Sequence, residues 1–312
     1  RGEILFGAEY HYKNMSSNLL ANDKNIYIWS LFAENNYALT ENIIIVAGCR
    51  FDKHKIAGDN YSPRISAIFN LKNDIVKLSW GQSYKNPSFI QSYMYQNIDL
   101  TGGLGFNTII SGNPDLKSEK LDFYEISYQS DLKKKLNFDF SAFYKVVDSI
   151  IDANIIYYPF PLDALPSNII FDNKEKDEIY GFEAGLNYLF NSKFSAKANY
   201  SYQHILNKTR NIHKNEMPAH KINFILNATP LKNLTNSIIL RFIDRTEWRD
   251  QDNAYLGKID SYAIADINTV YQFGKFNVLL NCENIFNKKH QDMPVFGEIL
   301  SRRISARLQY SF

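Results

Sequence analysis

The last ten residues, Arg303 to Phe312, alternate without interruption. Ile304, Ala306, Leu308, Tyr310 and Phe312 fall on one side of a period-2 strand, and Ser305, Arg307, Gln309 and Ser311 fall on the other. A strand built this way has one face for an apolar phase and one for a polar phase. With an aromatic residue at the very end, it describes the closing strand of a membrane barrel, lipid outside and a polar lumen inside. Tyr310 and Phe312 are then the residues of a terminal membrane-assembly signal. Half-buried strands of soluble sandwiches alternate in the same way, so this segment alone leaves both readings open.

The rest of the chain narrows the choice. Ile4, Phe6, Ala8, Tyr10 and Tyr12 repeat the pattern, as do Phe138, Phe140, Ala142 and Tyr144. So do Phe182 to Phe190 and Phe194 to Tyr202. Several stripes end in Tyr, whose ring can lie in lipid while its hydroxyl reaches the headgroups. Among the 312 residues, 45% are hydrophobic and 15% aromatic, yet no apolar run approaches the ~18 residues of a membrane helix. A net charge of +2 gives no reason to invoke nucleic acid. Cys49 and Cys282 stand on the outward register of distant strands and read as small apolar residues, not as a disulfide.

Connection lengths predict the topology. Read from the C-terminus, long links at Lys288–Ser301, Glu247–Lys258, Asn207–Ala219, Ala153–Asp177, Lys85–Ser118, Lys53–Ser62 and Lys13–Lys24 alternate with turns. The turns fall near Gly274, Lys232, Ser192, Leu132, Asn73 and Glu41. Short periplasmic turns and long extracellular loops are the habit of outer-membrane barrels. The expectation is an all-β, transmembrane antiparallel barrel with about 14 strands, the first running outward and the last returning.

Two segments frame the longest loop: Tyr84-Lys85-Asn86-Pro87-Ser88-Phe89 and Gly112-Asn113-Pro114-Asp115-Leu116-Lys117-Ser118-Glu119. Asp115 and Glu119 are expected to face the wet mouth of the barrel. Elsewhere stand Leu31-Phe32-Ala33-Glu34, Ala47 to Asp52, Tyr180-Gly181-Phe182-Glu183 and Asn284-Ile285-Phe286-Asn287-Lys288. Taken in order over the whole chain, these pieces resemble the barrel of TonB-dependent outer-membrane receptors. The resemblance implies a probe of extracellular loops that captures a ferric siderophore as transported ligand, with no covalently bound cofactor. It also implies a monomer in outer-membrane lipid, inserted by the barrel-assembly machinery and coupled to the TonB complex through a plug. Barrels of that family have about 22 strands. On that resemblance residues 1–312 are expected to correspond to the C-terminal part of the barrel, starting near the ninth strand, with plug and first strands absent. No export signal stands at residue 1, so it is not expected to be the start of a nascent chain.

An anionic ferric chelate calls for guanidinium and ammonium groups and for aromatic faces. Arg241 and Arg245 alternate with Leu240 and Phe242, which would place both inside. Arg245 and Arg249 flank Trp248, and Arg302 and Arg303 stand at the mouth of the last strand. Tyr93 and Tyr95 lie in the longest loop. These eight are the candidate ligand contacts. Each arginine has a structural alternative, pairing with a plug carboxylate or a wall partner such as Glu34, Glu125 or Glu183.

Haem and a plug-less passive pore remain as alternatives. Between Pro87 and Asn113 there is no His, although a Tyr can ligate haem iron. An enzyme is not expected: no two histidines stand at i, i+4, and no nucleophile motif or phosphate loop occurs. Asp250-Gln251-Asp252-Asn253 lacks the Gly and distal Glu of a calcium loop.

Overall fold

The computed structural model describes residues 2–20, 22–99, 101–103, 105–132, 135–163, 165–249, 255–293 and 297–311. Phe312 and Asp250–Asn253 thus lie outside the described residues. Nineteen strands and one short helix follow in order. They are β1 (Gly2–Met15), β2 (Lys24–Ala38), β3 (Ile43–His54), β4 (Gly58–Leu71), β5 (Asp74–Lys85), α1 (Phe89–Tyr93), β6 (Tyr95–Asp99) and β7 (Asn107–Ser111). Next come β8 (Glu119–Leu132), β9 (Leu136–Tyr157), β10 (Pro166–Asn191), β11 (Phe194–Asn207), β12 (Ile212–Lys214) and β13 (His220–Leu231). The last are β14 (Leu234–Ile243), β15 (Thr246–Arg249), β16 (Tyr255–Ile259), β17 (Tyr262–Phe273), β18 (Phe276–Glu283) and β19 (Arg303–Tyr310).

Fourteen of these form the wall, each antiparallel to the next: β1, β2, β3, β4, β5, β8, β9, β10, β11, β13, β14, β17, β18 and β19. The five short strands belong to loops on the outer side. Among the described residues β1 pairs only with β2 and β19 only with β18, so the sheet is open between these edges.

The register places the two faces as the period-2 pattern predicts. Along one cross-strand row, Trp80, Tyr124, Tyr144, Tyr180 and His204 stand side by side on the outward face. Such a row suits the headgroup layer, where ring and polar tip each find their medium. At the opposite end the outward rings of Phe276 and Tyr310 lie 4.9 Å apart. Running from the first row toward the middle of the wall, Ile65, Leu78, Trp80, Ile126 and Tyr144 border a shallow apolar groove of 640 Å³ on the outward face. Cys49 and Cys282 are free thiols, Cys49 exposed and Cys282 half-buried. The inward face is polar and cross-linked: Arg50 reaches Glu9 at 2.8 Å and Asp52 at 2.9 Å, and Arg64 pairs with Glu34.

Two connections differ from the sequence-based expectation. Lys53–Ser62 is no long loop: β3 and β4 continue to His54 and from Gly58, leaving a three-residue turn. His54 makes this possible, because its Nδ1 accepts from the backbone N–H of Ile56 and Ala57 at 3.2 and 3.0 Å. Likewise Ala153–Asp177 is mostly strand: β9 and β10 run on as a hairpin above the wall and leave only residues 158–165 as loop. Its run of Ile and Asn residues lacks a clean alternation, so period counting missed it.

Candidate ligand-binding site

Two devices shape the outer rim. The first is the closure of the longest loop. Asn60 Nδ2 donates to Asn86 Oδ1 and Ser118 Oγ, each at 3.0 Å, and Ser118 Oγ donates to Asn86 at 2.7 Å. The two motif ends, Asn86-Pro87 and Ser118-Glu119, are thereby clamped to β4. Glu119 does not face the wet mouth as expected. It is 8% exposed, its carboxylate accepting from Ile151 N–H at 3.0 Å and Lys85 Nζ at 2.9 Å. A buried carboxylate needs such partners. Asp115 is exposed. Inside the loop, α1 starts in a capping box between Ser88 and Gln91. Tyr93 lies under Lys24 Nζ, 4.8 Å from the ring centroid, and Tyr95 is half exposed on β6.

The second device is the turn Asn284–Lys288 after β18. Asn284 and Asn287 both have φ of +54°, a conformation Asn tolerates better than most residues. Asn284 is 2% exposed; its Oδ1 accepts from Lys288 N–H at 2.9 Å and its Nδ2 donates to Lys288 O at 2.8 Å. Its own N–H donates to Asp266 Oδ1 at 2.8 Å. Asn287 Oδ1 then accepts from Arg302 N–H at 2.9 Å, which fixes the return of the chain into β19.

Beside this turn a cavity of 830 Å³ opens at the outer end of β14, β17, β18 and β19. Arg241, Arg302 and Arg303 all line it, so three candidates meet in one place. Arg241 Nη2 donates to Asp266 Oδ2 at 2.6 Å, and Arg303 Nη2 to Glu283 Oε1 at 2.7 Å. The expectation of a wall carboxylate is met for both, though by Asp266 and Glu283 and not by the glutamates named from sequence. Arg241 Nε is buried with no acceptor among the described residues. Among those residues no carboxylate pairs with Arg302 or with Lys221, which also lines the cavity.

Tyr262, His290 and Asp292 also line it, as do the carboxylates of Glu283 and Glu298. Tyr262 donates to Asp292 Oδ1 at 2.6 Å, and its ring lies 4.6 Å from that of His290. Sequence reading passed over these and Lys221. The signal was present for two of them, since Lys221 and Tyr262 occupy one inward row with Ile243 between them.

The other candidates lie apart. Arg245 is not inside the wall: β14 ends at Ile243, and the exposed Arg245 borders a separate cleft of 340 Å³ with Met217, Glu247 and Lys258. The inward alternation holds only as far as Ile243, two residues short of Arg245. Trp248 and Arg249 stand on the β15–β16 hairpin, where Arg249 Nε donates to Glu247 at 2.8 Å. Neither Tyr93 nor Tyr95 lines the arginine cavity.

An outward apolar face, aromatic rows, a polar lumen, short turns at one end and elaborated loops at the other define the wall of an outer-membrane β-barrel. Residues 1–285 match the family model of TonB dependent receptor-like β-barrels. The chain belongs to that family. It is similar to the ferrienterobactin receptor of Escherichia coli K12, 37% identical over 97 residues that make up 30% of this chain and 13% of the relative. It is also similar to an iron-regulated outer membrane virulence protein of Vibrio cholerae, 27% identical over 62% of this chain and 30% of the relative. Among solved structures, the siderophore receptor PirA of Acinetobacter baumannii superposes with a TM-score of 0.84 at 21% identity, over all of this chain and 52% of that one. The copper transporter OprC superposes with a TM-score of 0.73 at 13% identity, over all of this chain and 54% of that one. The chain thus spans about half the length of these solved structures and less than a third of the curated relatives. Shared fold therefore fixes the architecture and not the cargo.

Proposed function

We propose that this chain is the greater part of the wall of an outer-membrane receptor that imports a ferric siderophore. The observation that carries the reading is the 830 Å³ cavity, where four cationic side chains, Lys221, Arg241, Arg302 and Arg303, meet and where, among the described residues, Arg302 and Lys221 have no carboxylate partner. An anionic chelate is the cargo such a lining favours. The relatives named for ferric enterobactin and siderophores support the same choice. Capture by the outer loops, coupling to TonB through a plug, insertion by the barrel-assembly machinery and a monomeric state in outer-membrane lipid belong to this reading. Catalysis does not.

Haem fits less well. Tyr262 has its hydroxyl committed to Asp292, and His290 packs against the Tyr262 ring. The test is uptake of radiolabelled iron by cells with and without the protein, supplied as catecholate chelate, hydroxamate chelate or haem. Loss of siderophore uptake in both the deletion strain and a strain lacking TonB supports the proposal. Growth on haem alone, or steady TonB-independent channels in planar bilayers, would replace it with one of the alternatives.

A further inference from the structure

We infer that His204 and His213 form a binding site for a divalent transition-metal ion on the outer rim of the wall, outside the lumenal cavity. His204 is on β11, and His213 is on β12, in register with Leu206. The two imidazoles therefore sit diagonally across a strand pair. His204 Nε2 and His213 Nδ1 face each other at 2.8 Å, with ring centroids 4.7 Å apart. The Tyr180 ring backs His204 at 5.0 Å, which fixes the plane from which its nitrogen points. His213 is exposed, so an ion can arrive from solution.

Each neutral ring can carry its proton on the far nitrogen, Nδ1 of His204 and Nε2 of His213. In the ion-free pair one ring donates its N–H to the other; when an ion binds, that proton shifts to the far nitrogen of the same ring, so both facing nitrogens offer lone pairs and no net proton is released. Two metal–nitrogen bonds of about 2.0 Å separate their nitrogens by about 2.9 Å at a right angle and about 3.3 Å at a tetrahedral angle. The 2.8 Å hydrogen-bonded spacing lies within about 0.5 Å of either value, so a small side-chain movement admits an ion, and Cu(II) and Ni(II) lead the affinity order of imidazole sites. Water fills the remaining positions. Glu178 is the neighbouring outward carboxylate, beyond Leu206, and its partner is Lys208 at 3.6 Å. An ion here ties β12, and the loop that carries it, to wall strand β11.

The test uses the native protein purified from outer membranes in detergent, titrated with Cu(II), Ni(II) and Zn(II) separately. The expected result is one site with affinity in the order Cu(II) > Ni(II) > Zn(II), and a Cu(II) EPR spectrum showing two coordinated nitrogens. His204→Ala and His213→Ala should each weaken Ni(II) binding at least tenfold, while His11→Ala, on β1, leaves it unchanged. Heat-modifiable migration of each variant on gels confirms that the barrel is intact. Undiminished binding by the folded His204→Ala, His213→Ala double variant would overturn the proposal, as would a spectrum with a single nitrogen. Zn(II) binding as tightly as Cu(II) would overturn the assigned order of metals.

Discussion

Asn60 and Ser118 are 58 residues apart in sequence, yet the Asn60 amide donates to the Ser118 hydroxyl at 3.0 Å in a buried contact. Together with Asn86 they join both ends of the longest loop to β4. Asn60→Ala removes two of these hydrogen bonds and unties the remaining Asn86–Ser118 contact from β4, at a cost of about 1–3 kcal/mol. The expected outcome is faster proteolysis between residues 86 and 118 with the wall itself still folded. Limited proteolysis followed by mass spectrometry measures this, and an unchanged cleavage rate would show that the clamp is not what orders the loop.

Gly112 meets the C-terminal end of α1 so closely that an added Cβ would stand 2.4 Å from Tyr93 N and 2.5 Å from the Ser92 carbonyl carbon. Its N–H donates to Met94 O at 2.7 Å. Backbone atoms cannot yield as a side-chain tip can. Gly112→Ala should therefore detach the β6–β7 hairpin from α1 and cost roughly 2 kcal/mol or more of local stability. Hydrogen exchange of Tyr95–Asp99 would report it, and wild-type protection in the variant would refute it.

Arg302 and Arg241 line the same cavity but should fail differently. Among the described residues Arg302 has only its backbone N–H engaged, to Asn287, so Arg302→Ala is expected to weaken ferric-chelate binding about tenfold, or ~1.4 kcal/mol, with little change in stability. Arg241→Ala leaves Asp266, 5% exposed, without its guanidinium and should destabilise the wall by about 1–3 kcal/mol. Chelate titration and thermal unfolding of both variants separate the two roles. Equal effects on both readouts would mean that the cavity arginines serve the wall alone.

The loop between β11 and β13 carries its own pH response. Burial holds the Glu216 carboxyl above the ordinary value of 4.5, opposed by Lys214 and reinforced by Asp177, Glu175 and Asp152. A carboxyl that is a weaker acid in the docked loop binds its proton more tightly there than in the undocked chain. Its stabilisation is full below the undocked value and is lost as pH rises through the docked one. Docking of residues 208–219 should thus tighten on acidification. Lys214 acts in the alkaline range. Burial opposes its ammonium, but Asp177 at 2.9 Å and Glu175 at 3.1 Å hold its pKa above 10.5. Its contribution is present through neutrality and lost only as pH rises past that raised value. Protection factors of the loop amides, corrected for the intrinsic pH dependence of exchange, should differ between pH 5 and pH 8 in the wild type and agree in Glu216→Gln; a persistent difference in the variant would assign the response elsewhere.

Period-2 alternation made the wall legible because each wall residue meets one of two phases, and the register bears this out from Ile4 to Tyr310. The rim was harder to read. His54 shortens one turn and the β9–β10 hairpin rises above the bilayer, where neither face has to be apolar. Arg241, Arg302 and Arg303 converge because strands distant from the final loop meet at one end of the sheet, and their charges advertised them. Tyr262, His290 and Asp292 join through a hydrogen bond and a ring contact across 30 residues or so of chain, which no local pattern encodes. The Asn284–Lys288 motif was visible as a resemblance, and only its hydrogen bonds reveal it as a turn that positions Arg302.

Tyr310 closes the outward stripe of β19, and its ring lies 4.9 Å from Phe276 on the neighbouring strand. If the terminal aromatic stripe is read during insertion, Tyr310→Ser should reduce the amount of protein reaching the outer membrane several-fold. A purely structural role costs only the aromatic pair, about 0.5–1.5 kcal/mol. Phe276→Ser supplies the control, because it removes the same ring contact and leaves the C-terminal strand intact. Quantifying heat-modifiable protein in outer-membrane fractions distinguishes the two. A deficit in Tyr310→Ser well beyond that of Phe276→Ser marks Tyr310 as part of an assembly signal, whereas equal deficits reduce it to a girdle residue.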